Sequence, residues 1–298
     1  MTRLLVPITG IAFRNPSLYH VIGEKGIVMR VYLDLVERVL ASGVRKKNRT
    51  GVDTISTFAE HYRVDLAQGF PLLTTKKVNF QALLYEVLWY LSGEDHIRNL
   101  QKHTKIWNAW ADEHGNLDTA YGRYWRRFPS AQLNPATGTY EVFEVDQIAK
   151  VVELLKTDRT SRRMVVTAWE PGNAFGSKLP PCHYSFVFNV QGDRLSCHLT
   201  QRSGDIAIGI PFNLAAYSLL TQILAQESGL TPGWFSHTIV DAHIYVTHTD
   251  GLREQLKRSP RPLPRLEITR KPFDQLAFED FTLIGYEPYP PIKFEVAV

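Results

Sequence analysis

Cysteine is scarce in this 298-residue chain, where Cys182 and Cys197 are the only two. Two thiols without a framework of spacings exclude a disulfide-stapled secreted fold; they read as reduced thiols in a cytoplasmic protein, and the question is whether either does chemistry. Long hydrophobic runs are missing too, since none approaches the roughly 20 apolar residues a membrane span needs. Residues 4–13 are apolar and follow Arg3, but Pro7 and Gly10 interrupt them and no A-x-A site follows, so they are read as an N-terminal strand or arm. Charge of one sign is in short supply: 34 Lys and Arg face 30 Asp and Glu, leaving +4 spread along the chain. That surplus is too weak to argue for duplex nucleic acid, although a few local arginine clusters could hold a small anion. The absence of G-x-G-x-x-G and of a P-loop disfavours a dinucleotide or ATP enzyme. His237, His243 and His248 lack H-E-x-x-H or Cys/His spacing and no acidic cluster accompanies them, so no metal is expected.

What is present is a large core, because 44% of the residues are hydrophobic and 11% aromatic. Apolar and charged residues stay evenly mixed without repeats or a long linker, which favours one domain over the two that length alone allows. Residues 31–40 read as an amphipathic helix stopped by Gly43. Residues 80–91 are apolar nearly all round and end at Ser92-Gly93, predicting a buried helix. Residues 145–155 read as a third helix. Residues 212–227 form a fourth, with 212, 216, 219, 220, 223 and 224 on one face and Gly229 as the stop. Residues 164–169, 184–190, 195–201 and 238–246 are β-rich, and Gln191-Gly192-Asp193-Arg194 joins two of these strands as a hairpin. The mixed order points to α+β, with an exposed loop over 129–143 and a turn region over 171–181.

Several residues attract attention as chemistry. Cys182 follows Pro180 and Pro181, which fix the backbone at the start of a strand where a substrate could reach the thiol. A free cysteine is as readily buried filler, and Cys197, alternating with Leu195 and Leu199, has only that reading. The adjacent His183 is a poor base for Cys182, because neighbouring strand side chains point to opposite faces. Glu86 is the only acid in its apolar helix; burial would raise its pKa and suit it to proton transfer, whereas a partly exposed edge would make it ordinary. Arg49, Arg162, Arg163 and Arg202, with Ser203, suit a phosphate monoester if they converge, and an arginine near Cys182 would favour its thiolate; singly, each is a solvated charge. Asp241, His243 and Tyr245 fall on one face of their strand, with Val240, Ala242, Ile244 and Val246 on the other, giving either a polar site backed by core or a satisfied half-buried network. Trp107 and Trp110 are either core or a stacking platform for a flat heterocycle.

Laid out together, these segments resemble thymidylate synthase from about residue 31 to the C-terminus. The resemblance rests on Arg49-Thr50-Gly51, Gly69-Phe70-Pro71, Thr74-Thr75-Lys76, Glu86 with Leu88-Trp89, Trp107 and Trp110, Tyr121-Gly122, Ser161-Arg162-Arg163, Pro181-Cys182-His183, Gln201-Arg202-Ser203 with Asp205, Gly209 with Pro211-Phe212-Asn213, Asp241 through Tyr245, Arg261-Pro262-Leu263-Pro264 and the closing Ala297-Val298. It implies a single catalytic domain over 31–298 behind an N-terminal arm over 1–30, with a mixed sheet packed against helices and forming a homodimer interface. The implied reaction is the reductive methylation of dUMP to dTMP with 5,10-methylenetetrahydrofolate as co-substrate and no metal; a 5-hydroxymethylase of the same fold is the alternative. Cys182, Glu86, Tyr121, Asn213, Asp205 and Arg202 would be catalytic. Arg49, His183, Gln201, Arg202, Ser203, Asp205, Asn213, His243 and Tyr245 would bind the nucleotide, with Arg162 and Arg163 reaching in from the other subunit. Lys76, Trp107, Trp110, Asp205, Gly209, Phe212 and the tail at Val298 would form the folate side. No membrane and no obligatory nucleic acid partner is implied. Val240 stands where the family usually has Gly, Asn79 where His is common, and Ala207 where a bulky residue is usual.

Overall fold

The computed structural model describes residues 27–296; the expected arm over 1–30 falls almost entirely outside them, as does Val298. In chain order the elements are α1 (Ile27–Ser42), β1 (Val44–Lys46), β2 (Thr54–Asp65), α2 (Phe80–Ser92), α3 (Tyr121–Arg126), β3 (Phe128–Asn134), β4 (Thr139–Val145), α4 (Gln147–Thr157), β5 (Val165–Thr167), α5 (Pro171–Ala174), β6 (His183–Gln191), β7 (Arg194–Asp205), α6 (Gly209–Glu227), β8 (Thr231–Tyr245), α7 (Thr249–Leu256), β9 (Arg265–Ile268) and β10 (Phe281–Ile284). A six-stranded sheet in the order β1-β2-β8-β7-β6-β5 organises them. Its strands are antiparallel except β7 and β8, which run parallel because α6 carries the chain across between them. The fold is thus α+β with a mixed sheet, as expected.

Local chemistry explains the helix limits. Asn79 caps α2 by accepting from the Ala82 amide at 3.2 Å, and Gly93 ends it in the left-handed region at φ 75°. Eight residues of α2 are buried, including Glu86, because the helix lies inside the core against α3 and α6. Gly122 permits the close approach of α3, since a Cβ there would stand 2.8 Å from the Tyr90 carbonyl oxygen. α6 is buried almost all round rather than on one face, being held between the sheet and α2.

Four expectations need correction. Residues 129–143 are not a loop but most of the β3–β4 hairpin, whose turn-rich composition and nearly unburied strands hide the period-two signal. The helix expected from 145 starts at Gln147, because Val145 ends β4 and Asp146 caps the helix, accepting from the Ala149 amide at 2.8 Å. Only Val165–Thr167 of 164–169 is strand. Val240 does not share the buried face of Ala242 and Ile244.

That last departure shapes the site. Buried positions in β7 alternate through Leu195, Cys197, Leu199 and Gln201, then resume at Gly204; in β8 they run through Phe235, His237 and Ile239, then resume at Ala242. Arg202 and Val240 break the two patterns at one level, beside Ala59 of β2, which takes φ 58°. Two adjacent strands therefore change phase together, next to a left-handed residue in the third. Beyond the break, Ser203, Asp205, Asp241, His243 and Tyr245 turn towards a common cavity. No helix among the described residues is long and apolar enough to cross a membrane.

Candidate active site

A cavity of about 680 Å³ opens at this end of the sheet. Cys182 reaches it from the residue before β6, half-buried after the two prolines. Arg202 on β7 clasps that turn: its Nε donates to the Pro181 carbonyl at 2.9 Å, one Nη2 contact goes to the Pro180 carbonyl at 2.7 Å, and another reaches Cys182 Sγ at 3.5 Å. Burial nevertheless pushes the thiol up, outweighing the opposing pull of Arg202 and Arg49. The arginines therefore do not make Cys182 a resting thiolate; they stand ready for one.

Tyr121, at the start of α3, receives the Cys182 amide N–H at 2.8 Å and stacks on His183 with ring centroids 3.6 Å apart. Burial drives its phenol well above the ordinary value. His183 lines the cavity, with Nδ1 2.6 Å from the Tyr217 hydroxyl, and burial drops its pKa to about 3. His183 thus lines the same cavity as Cys182, against the expectation of opposite faces, and its low basicity rather than its direction makes it a poor base.

Glu86 stands behind the cavity wall rather than on it. Burial raises its carboxyl to about 7 against the opposing hydrogen bonds of Trp107 and Tyr90. The Trp107 indole N–H donates to Oε1 at 2.7 Å, and Trp107 itself lines the cavity with Trp110, their ring centroids 5.6 Å apart. The two tryptophans are therefore both core neighbours and cavity wall. A carboxyl that titrates near neutrality, one indole away from a cavity, suits proton transfer.

The polar wall combines expected and unexpected residues. Arg49, Gln201, Ser203, Asp205, Gly209, Asn213, His243 and Tyr245 all line the cavity. Asp205 accepts from the Ala207 and Ile208 amides at 2.9 and 3.4 Å, which fixes the approach to α6 and its residue Asn213. Asp241 lines it as well, receiving Ser56 and Lys46 at 3.0 Å each, with His243 Nδ1 at 3.4 Å. The His243 hydrogen bond first, then Lys46 and Ser56, hold the Asp241 carboxyl far below its usual range despite partial burial. The reading of a satisfied half-buried network and the reading of a polar site are both true of this strand.

Some expected residues are not brought to the cavity. Arg162 and Arg163 are exposed between α4 and β5, and neither lines the wall. Phe212 packs on the core from α6. Lys76 is buried behind the wall, where it donates to the Ala207 carbonyl and lies 4.7 Å from the Phe294 ring centroid; burial lowers it to about 8. Sequence reasoning missed Lys46, Lys47, Asn48 and Ser177, Lys178, all on the wall, and Val296 at the tail. The basic run from Arg45 to Arg49 was a usable signal for the first group.

Comparison with known proteins agrees with this geometry. The family model described as thymidylate synthase matches residues 30–298. A thymidylate synthase of Haloferax volcanii is 45% identical over 326 residues, covering 89% of this chain and 95% of that protein.

Proposed function

The chain belongs to the thymidylate synthase family and is a methyltransferase, and on that premise we propose that it converts dUMP to dTMP, using 5,10-methylenetetrahydrofolate as one-carbon and hydride donor. The observation that carries this reading is the gathering of Cys182, Arg49, Arg202, Asn213, His243 and Tyr245 on one cavity wall.

Cys182 is the nucleophile. Its thiolate adds to C6 of the uracil ring, and the electron pair moves through C5 and C4 onto O4, so that C5 becomes an enolate-like carbon. Arg202, 3.5 Å from Sγ, is the cation that holds the thiolate once the proton has left. Glu86, near 7, gives and takes protons around O4 through water. Tyr121 stays a neutral phenol, so it orients the water that takes the C5 proton rather than taking it as a phenolate. C5 bonds to the methylene carbon of the folate, and loss of the C5 proton then expels the folate nitrogen and leaves an exocyclic methylene on the ring. Hydride from the released tetrahydrofolate, which becomes dihydrofolate, adds to that methylene and returns an electron pair to C5; that pair restores the C5–C6 double bond and expels Cys182.

Binding follows the donor sets. Arg49, Arg202 and Ser203 hold the phosphate, and His243 with Tyr245 bonds the sugar hydroxyl. The Asn213 amide accepts from uracil N3–H and donates to O4, a pairing cytosine cannot reciprocate. Trp107 and Trp110 supply apolar surface for the flat pterin, with Asp205 as an acceptor for its ring N–H and Gly209 leaving backbone room. Lys76 and Phe212 act from behind, and Val298 closes the tail over the folate.

Arg162 and Arg163, exposed and away from their own chain's cavity, act in the site of a second copy. The dimer forms through the outer sheet face, where Phe58 of β2, 83% exposed in one chain, finds cover. The deciding experiment incubates the protein with dUMP and methylenetetrahydrofolate, follows dihydrofolate by absorbance and identifies the nucleotide by mass. Dihydrofolate with dTMP is the expected result; 5-hydroxymethyl-dUMP with tetrahydrofolate would sink it. Failure to turn over dCMP tests the role of Asn213.

A further inference from the structure

Behind Gln201 runs a buried chain of side chains that the reaction as described leaves unused. Tyr62 Oη is 2.8 Å from His237 Nδ1, and His237 Nε2 is 3.0 Å from Gln201 Oε1. Gln201 Nε2 in turn donates to the Ser203 backbone carbonyl at 2.9 Å. The three side chains come from three adjacent strands: Tyr62 lies opposite His237 in the β2–β8 register, and β7 brings Gln201 alongside. All are buried, His237 completely, yet Gln201 lines the cavity.

One end of this chain fixes its polarity. A carbonyl oxygen only accepts, so the Gln201 atom beside Ser203 must be the amide nitrogen. The amide oxygen then faces His237, which has to carry its proton on Nε2. That leaves Nδ1 bare to accept from the Tyr62 hydroxyl. The opposite tautomer would call for a flipped amide and set two oxygens against each other at the Ser203 position. Burial, with His183, His198 and His61 as further contributors, keeps His237 far below its ordinary pKa, so the doubly protonated ring does not interrupt the chain. One amide N–H of Gln201 is left over.

We infer that Tyr62 and His237 are positioning residues for the reaction: they lock the Gln201 amide so that a hydrogen-bond donor, and not its carbonyl, faces the substrate cavity. The wall at Gln201 is therefore built to meet an acceptor oxygen of the nucleotide. A free glutamine would present either end and would spend rotamer entropy on each binding event. The locked one is preorganised.

This rests on the cavity being the nucleotide site, and the test separates the two. In histidine-labelled protein, long-range proton–nitrogen NMR reports the His237 tautomer, assigned by its loss in His237→Gln. Neutral, Nε2-protonated imidazole, unchanged between pH 8 and 6, is expected; an Nδ1-protonated or doubly protonated ring overturns the lock whatever the substrate. In steady-state turnover, His237→Phe raises KM for dUMP about tenfold with a smaller change in kcat, the loss of one buried hydrogen bond. Tyr62→Phe raises it about threefold, and His237→Gln, which restores a donor near the Nε2 position, returns it to within about twofold. In a Gln201→Leu background, adding His237→Phe changes KM by less than about twofold. Effects that multiply in that background, or an unchanged KM in His237→Phe, overturn the inference. If His237→Phe does not fold, Tyr62→Phe and the NMR tautomer decide it. Wild-type protein that ignores dUMP while showing the Nε2 tautomer refutes the nucleotide reading and leaves the lock standing.

Discussion

Cys197 lies within β7 and Cys182 directly before its neighbour β6, and burial raises both thiols, Cys197 to about 12 and Cys182 in the same direction. Their surroundings separate them. Cys197 sits mid-strand on β7 opposite Phe188, enclosed by the core, with the Thr221 hydroxyl as its polar neighbour. Cys182 precedes β6, half-buried on the cavity wall with Arg202 3.5 Å from its sulfur. Desolvation without a cation makes a thiol inert, whereas desolvation beside a guanidinium and an open cavity lets a substrate draw out the thiolate. Placement relative to the end of the strand, rather than acidity at rest, distinguishes filler from nucleophile.

The strongest way to break this comparison is Cys182→Ala. Turnover of dUMP should fall by at least about a thousandfold, since no other thiol lines the cavity. Alkylation mapped by mass should mark Cys182 and spare Cys197 in the folded protein, at a rate that climbs above the pH of an ordinary thiol. Retention of more than about a tenth of wild-type turnover would remove Cys182 from the nucleophile role.

Glu86→Gln tests the proton-handling side, with a loss of about a hundredfold in kcat and little change in KM for dUMP. The same variant has a stability signature. Because the folded carboxyl is raised from 4.5 to about 7, the folded state binds the proton more tightly. Its contribution is therefore full below about pH 4.5 and is lost as pH rises through about 7. Thermal melts should show this decline in the wild type and a flatter curve in Glu86→Gln; parallel curves would argue that Glu86 is not buried as described.

Legibility tracked how local the physics was. α2 was readable because its apolar run and its Gly93 stop are contiguous, and Cys182 because two prolines precede it. The phase change at Arg202 and Val240 was not, since it arises from two strands breaking at one level and each looks regular by itself. The β3–β4 hairpin escaped notice because its strands bury almost nothing and so need no alternation. Tyr62 and His237 are 175 residues apart in sequence, and no local pattern announces such a pair. The anion-binding character of Arg162 and Arg163 is legible in their residue type, whereas their reach into the other subunit came from resemblance alone.

Those two arginines sharpen the comparison from the anion side. Arg162→Ala with Arg163→Ala should lower kcat/KM for dUMP about tenfold or more. Mixed and re-annealed with Cys182→Ala chains, the arginine-deficient chains should recover up to about a quarter of wild-type turnover, because half the dimers are hybrid and one site in each is complete. No recovery in a mixture shown to exchange subunits would place the arginines outside the partner's site.

The smallest effect is expected where the contrast began. Cys197→Ala removes a sulfur buried in the core with Leu195, Leu199 and Phe188 and not itself on the cavity wall. It should cost about 1–2 kcal/mol of stability through a small void, read from denaturant midpoints at unchanged slope. Turnover at a temperature well below the melt should stay within about twofold of wild type. A larger loss of kcat would mean that strain in the β7 core reaches Arg202, five residues along the same strand. The boundary between filler and nucleophile would then lie in the packing of β7 rather than at the end of β6.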